Sequence, residues 1–201
     1  MPASLPVTAP GRVPDAAVDP VFPGRWSPRA FSPRAVPAEA LDSIFEAARW
    51  APSSFNDQPW LFFFARQPED LARFRGWLHE FNQSWANQAP VLIFVAARRH
   101  FAHNGTPNRV AVFDSGAAWM SLALQAHELG LVTHGMAGID VEKVHRELGL
   151  SPEQYEVIAA IALGYPGDPA TLPEQLRERE VPSGRKPRAE IAIEGNRKLA
   201  G

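Results

Sequence analysis

The sequence contains no cysteine. That excludes a disulfide framework, a thiolate zinc site and a cysteine nucleophile. It also points away from small secreted scaffolds, which rely on cross-links to hold a minimal core. Neither sign of charge is in excess, since 20 Lys+Arg stand against 22 Asp+Glu. A nucleic-acid binder would show a basic excess or stripe, so no such partner is expected. No apolar run approaches the roughly 20 residues that span a bilayer. "MPASLPVTAPGRVPDAAVDP" lacks the basic start and apolar stretch of a signal peptide. A cytoplasmic protein without membrane contact is therefore expected. There is no phosphate loop, no GxGxxG after a strand and no GxSxG elbow. His100 and His103 have no carboxylate at ligand spacing, and no metal is expected.

What the chain does have is 201 residues, enough for one domain with a real core. Residues 1–23 are rich in Pro and Ala without periodicity and read as an extended or disordered arm. The rest, 24–201, reads as a single domain. Pro37 opens a helix whose Leu41, Ile44, Phe45 and Ala48 share one face, and Pro52 ends it. "WLFFFAR" reads as a strand covered on both faces. "PEDLARFRGWLHEF" reads as one helix, and "APVLIFVAA" as a second buried strand. "DSGAAWMSLALQAHELG" is a long helix rich in small residues from Ser115 to Ala126. It suits a central or subunit-interface position, or is simply Ala-rich. "LVTHGMAGID" reads as a short apolar run into a Gly-rich turn, with Asp140 capping the next helix. "YEVIAAIALG" reads as a third buried strand, and the polar tail reads as an arm that packs elsewhere. The alternation indicates an α/β or α+β layered domain.

The chemistry-bearing groups form a phosphate-and-heterocycle pattern. "RWSPR" offers Arg25 and Arg29 around Ser27, and guanidinium forks suit phosphate. "GRKPR" adds further positive charge. "SSFN" places small polar groups at a helix–strand junction, and "HGMAG" exposes backbone N–H groups. Each also has a plain reading: solvated arginines, turn caps and a tight turn.

In this order the segments resemble the nitroreductase family of FMN-dependent oxidoreductases. "RWSPRAF" at 25–31 looks like the family's opening Arg-x-Ser-x-Arg/Lys signature. "ARWAPSSFNDQPW" at 48–60 is similar to its A-x-x-A-P-S-x-x-N-x-Q-P-W block. "FNQSWANQAPVLIFVA", "DSGAAWMSLALQAHELGLVTHGMAG", "ALGYPG" and "GRKP" extend the likeness to about Arg188. The resemblance implies an α+β, three-layer α/β/α sandwich with a central mixed sheet. It also implies an intertwined homodimer whose C-terminal arms, about 170–201, cross to the partner. It places FMN at the subunit interface. Arg25 and Arg29 would serve the phosphate or the polar edge of the flavin, Trp26 and Ser27 would fill the cofactor-binding positions between them, and Arg185 would serve the phosphate from the C-terminal side. Asn82 would meet its pyrimidine edge, and Gly135, Met136, Ala137 and Gly138 would pass its face. Pro52, Ser53, Ser54 and Asn56 would come from the other subunit. Ala137 stands where several relatives carry a carboxylate, and Trp85 where some carry a basic residue.

The activity so implied is ping-pong hydride transfer through flavin N5, from NADH or NADPH to nitroaromatics, quinones or free flavin. No catalytic side chain is expected, because the cofactor carries the chemistry. The alternatives are a narrower task (enone reduction, flavin fragmentation), a flavin-binding or storage module, or an interaction protein that keeps only the fold.

Overall fold

The apolar segments assemble into a four-stranded sheet in a computed structural model that describes residues 9–195. In chain order the elements are α1 (Val21–Gly24), α2 (Ala38–Arg49), β1 (Trp60–Ala65), α3 (Pro68–Arg75), α4 (Glu80–Ala86), β2 (Val91–Arg98), α5 (Ala111–Glu128), β3 (Val132–Met136), α6 (Val141–Leu148), β4 (Tyr155–Gly164), α7 (Glu174–Arg177) and α8 (Arg188–Ile191). A 3₁₀ turn at Ser54–Asn56 lies between α2 and β1.

The period-2 alternation of strand side chains sorts the core into two halves. From β2, Leu92, Phe94 and Ala96 face one way, among Leu71, Phe74, Trp77 and Trp85 of the α3–α4 region and Val144 of α6. Val91, Ile93 and Val95 face the other way, among Leu41, Ile44 and Ala48 of α2 and Ala118, Leu122 and Ala126 of α5. Helices thus cover both faces, and the α+β three-layer class expected from the sequence is the one found.

Several expectations need correction. The strand order is β1-β2-β4-β3 and all three pairings are antiparallel. The mixed sheet expected would need a further, parallel strand, and none occurs among the described residues. "WLFFFAR" packs on both faces as expected, Leu61 and Phe63 on one core half and Trp60 and Phe62 on the other, but it is an edge strand only partly buried, and Phe64 is 46% exposed. The expected single helix over 68–81 breaks after Gly76, because Trp77 and Leu78 turn into the core and Leu78 bridges to Ile139. "LVTHGM" forms β3, a fourth strand, with His134 opposite Ala162 and Gly135 opposite Ile161. The sheet satisfies backbone groups that the glycine content had suggested belonged to a turn.

Both termini of the described chain serve one corner. Within the segment read as an arm, residues 9–23, Ala9 is buried and α1 forms. Leu172 and Leu176 bury themselves against their own core before the chain becomes exposed beyond Val181. Gly167 locks the loop 25–31 to the end of β4. Its N–H donates to Ala30 O at 2.9 Å, and a Cβ there would lie 2.4 Å from the Phe31 carbonyl carbon.

Candidate functional site

A cavity of about 500 Å³ opens where the segment before α2 meets β3 and the C-terminal segment. Arg25, Trp26, Ser27 and Arg29 line it from one side and Arg185 from the other. The chain positions these groups through backbone locks. Glu180, only 9% exposed, accepts from the N–H groups of Arg29 (2.6 Å) and Ala30 (2.8 Å) through Oε1. Arg25 Nη1 lies 3.3 Å from Ser27 Oγ, and the Arg29 guanidinium sits 5.9 Å from the Trp85 ring centre. Arg25 Nε and Arg29 Nε are buried without a hydrogen-bond partner among the described residues. Burial lowers the pKa of Arg25, and Arg185 lowers it further by like-charge repulsion. Five guanidinium groups line the cavity against one carboxylate, Glu178, and such an excess of positive charge suits an anion.

His134 closes the floor of this cavity. Its Nδ1 lies 3.0 Å from the Pro28 carbonyl, so the N–H there donates, and its ring packs at 4.6 Å on Trp85. Burial pushes its pKa down to about 4; the Pro28 and Ser27 carbonyls oppose that fall and Arg29 adds to it. The ring is therefore a neutral spacer beneath the arginines at ordinary pH. Trp85 is 1% exposed and stacks on Phe31, so it acts on the cavity only through Arg29 and His134.

Beyond His134 the strand leads into Gly135–Gly138. Gly138 O accepts from both His79 N (3.0 Å) and Asn82 Nδ2 (2.9 Å). A Cβ on Gly138 would stand 2.6 Å from Asn82 Nδ2, so any larger residue would push the Asn82 amide out of this position. Asn82 and Gly138 are thereby brought together, while Ala137 and Gly135 are exposed.

Pro52, Ser53, Ser54 and Asn56 lie elsewhere. Ser54 N donates to Asp114 Oδ2 at 3.0 Å, which ties this segment to the first turn of α5. The residues around it are held in left-handed conformations: Phe55 at φ 53°, Asn56 at 54° and Gln58 at 48°. Such backbone costs about 1–3 kcal/mol per residue and persists where surroundings enforce it. Here Ser53 Oγ accepts from Gln58 N, and Gln58 Nε2 donates to Asn56 O. Arg98 Nη2 donates to the carbonyls of Asp57 and Gln58. Phe55 is left 80% exposed, edge-on to Phe101 and beside His103.

Within one chain the two groups sit at opposite ends of α5. Arg25 belongs to the far end. There burial lowers the His127 pKa, Glu128 opposes, and Arg25 lowers it further. Asp114 and His127 are separated by about 20 Å at 1.5 Å per residue. Sequence reasoning missed Arg12, Arg179 and Glu180, which also come to the cavity or its walls, and it read His134 as part of a turn. No local pattern marks these residues; long-range folding gathers them.

An antiparallel sheet between helical layers, with an arginine-lined cavity at one end of its longest helix, defines a layered α+β domain. The family model described as "Nitroreductase family" matches residues 23–84 and 77–165, and the chain belongs to that family. A crystal structure of an oxidoreductase containing FMN superposes with a TM-score of 0.88 at 46% identity, covering 92% of this chain and 95% of that one. A nitroreductase-type protein of Desulfovibrio desulfuricans in complex with FMN superposes at 0.67 with 27% identity, over 89% and 96% of the two chains. Among curated proteins, the NADH dehydrogenase of Thermus thermophilus is 31% identical over 178 residues, 72% of this chain and 84% of that one.

Proposed function

We propose that the protein is an FMN-dependent NAD(P)H oxidoreductase acting on small acceptors such as nitroaromatics, quinones or free flavin. The observation that carries this reading is the convergence of Arg25, Arg29 and Arg185 on one cavity, in a fold whose 46%-identical counterpart contains FMN. The residues fit the cofactor: the orphaned Nε groups and the small cluster of cations suit its phosphate, and the glycine segment suits a flat ring. When bound, FMN would supply the redox chemistry, hydride transfer from NADH or NADPH to the acceptor in ping-pong order.

The chain's own part is binding and electrostatics. Arg25, Ser27, Arg29 and Arg185 hold the phosphate, and Trp26 flanks it. Asn82 and the Gly135–Gly138 segment, with Met136 and Ala137, border the ring, and nearby guanidinium charge favours the more negative reduced state. Pro52, Ser53, Ser54 and Asn56 complete the partner's site in a homodimer. Their distance from Arg25 supports that arrangement, because two antiparallel α5 helices bring the start of one to the end of the other. The outward stripe of α5 at 113, 116 and 120 suits such packing, with Phe113 79% exposed and Gly116 open to approach.

Anaerobic titration tests the reading. Purified protein reconstituted with FMN is expected to be yellow and to bleach with NADH or NADPH, then recover colour with a quinone or nitroaromatic. A protein that never retains FMN would sink the proposal. One that retains FMN but does not bleach would be a binding module.

A further inference from the structure

Arg12 stands in a Pro/Ala-rich segment without periodicity, yet its guanidinium is among the most firmly positioned in the cavity wall. Nε donates to Ser183 O at 2.9 Å, and Nη1 donates to Arg25 O at 2.6 Å and Pro23 O at 3.3 Å. Three carbonyls thus fix the plane of the group. Among the described residues Nη2 has no partner, and Arg12 lines the same cavity as Arg25 and Arg185. Among the described residues no carboxylate forms an ion pair with it. Its pKa is lowered by burial first, then by Arg185 and Arg25, so the three cations are held close against their mutual repulsion. Asp15 Oδ2 accepts from Arg188 N at 3.1 Å, a second tie between the N-terminal and C-terminal segments.

A guanidinium held on carbonyls, beside like charges and with one edge open, gains stability when a dianion arrives. We infer that Arg12 is a further phosphate-binding residue, and that residues 9–25 form a strap closing the phosphate end of the cavity over its ligand. The inference rests on the proposed FMN reading and adds a residue outside the matched family segment, which begins at residue 23. The ligand chemistry is a phosphomonoester. The strap joins Ser183 and Arg25, so it draws together the two chain segments that supply the other arginines.

The test compares FMN with riboflavin, which has the same ring but no phosphate, on full-length apoprotein. Arg12→Ala is expected to weaken FMN binding by roughly 10- to 100-fold, the scale of a lost charge-assisted hydrogen bond. Riboflavin affinity should remain within about twofold, well below the tenfold that 1.4 kcal/mol produces. Arg12→Gln keeps donors for the carbonyls but removes the charge, and it should reproduce the selective FMN loss if the alanine variant folds poorly. Inorganic phosphate should compete with FMN on the wild type more strongly than on either variant. Equal weakening of both flavins would overturn the inference and leave Arg12 a structural tie. Wild-type protein that binds neither flavin would instead refute the FMN reading itself.

Discussion

His134 shows how a single residue's environment sets a measurable property of the molecule. Its folded pKa of about 4 lies below the ordinary imidazole value of 6.5 because burial disfavours the cation. Between those values the unfolded chain binds a proton that the folded chain refuses, so stability rises with pH across this window. The contribution is complete above about pH 6.5 and is lost as pH falls toward 4. At pH 5 the loss is about 2 kcal/mol, from 1.36 kcal/mol per pKa unit. Urea denaturation at pH 7.5 and pH 5 should show this extra acid sensitivity in the wild type. It should be largely absent in His134→Gln, which keeps a donor for the Pro28 carbonyl. Identical pH dependence in the two would assign the effect to other groups. Among the neighbouring charges, Arg29 acts in the same direction as burial, so cavity and imidazole are coupled.

At the scale of elements, the segment Ser53–Gln58 is rigid because a helix, a strand and a loop hold it. α5 contributes Asp114 to Ser54 N, β2 contributes Arg98 to two carbonyls, and Ala102 N donates to Asp57 Oδ1 at 2.8 Å. Asp114 is 5% exposed, so its loss leaves a partly buried N–H unpaired and also removes a favourable charge from a helix N-terminus. Asp114→Ala should cost about 1–3 kcal/mol of unfolding free energy. Asp114→Asn, which keeps an acceptor oxygen, should cost distinctly less. Chemical denaturation of the pair reads this directly, and equal costs would show that the Ser54 contact is not what the carboxylate supports. The apolar periodicity that revealed α2 and β2 could not reveal this bracing, because its partners are 40 to 60 positions apart.

For the whole molecule the decisive relation is between the two ends of α5. A helix of 18 residues separates Ser54 from Arg25, so under the proposed homodimer one chain carries two half-sites rather than one site. Gly116→Glu would place a bulky charge on the outward stripe of α5, at a position where a Cβ meets nothing within 4 Å among the described residues. Under the proposed homodimer the variant should stay folded, with its unfolding free energy changed by no more than about 1 kcal/mol, but should sediment as a monomer and lose FMN. A variant that remains dimeric and yellow would place the interface elsewhere.

The sequence by itself determined the layers and most of the elements. Apolar runs such as "VLIFVAA" and helical faces such as Leu41, Ile44 and Ala48 are local patterns imposed by burial and chain geometry. The family likeness, carried by "RWSPR" and "APSSFNDQPW", was legible for the same reason: contiguous residues. Tertiary structure alone decided the rest. It extended the apolar run at 132–136 through Gly135 as a strand, broke the helix at Gly76 to bury Trp77, and brought Glu180 beneath Arg29 across 151 positions. It also carried Arg12 from a featureless terminus to the wall of the cavity. Such placements depend on which surfaces remain to be buried and which carbonyls remain to be satisfied once the sheet has formed, and no window of neighbouring residues contains that information.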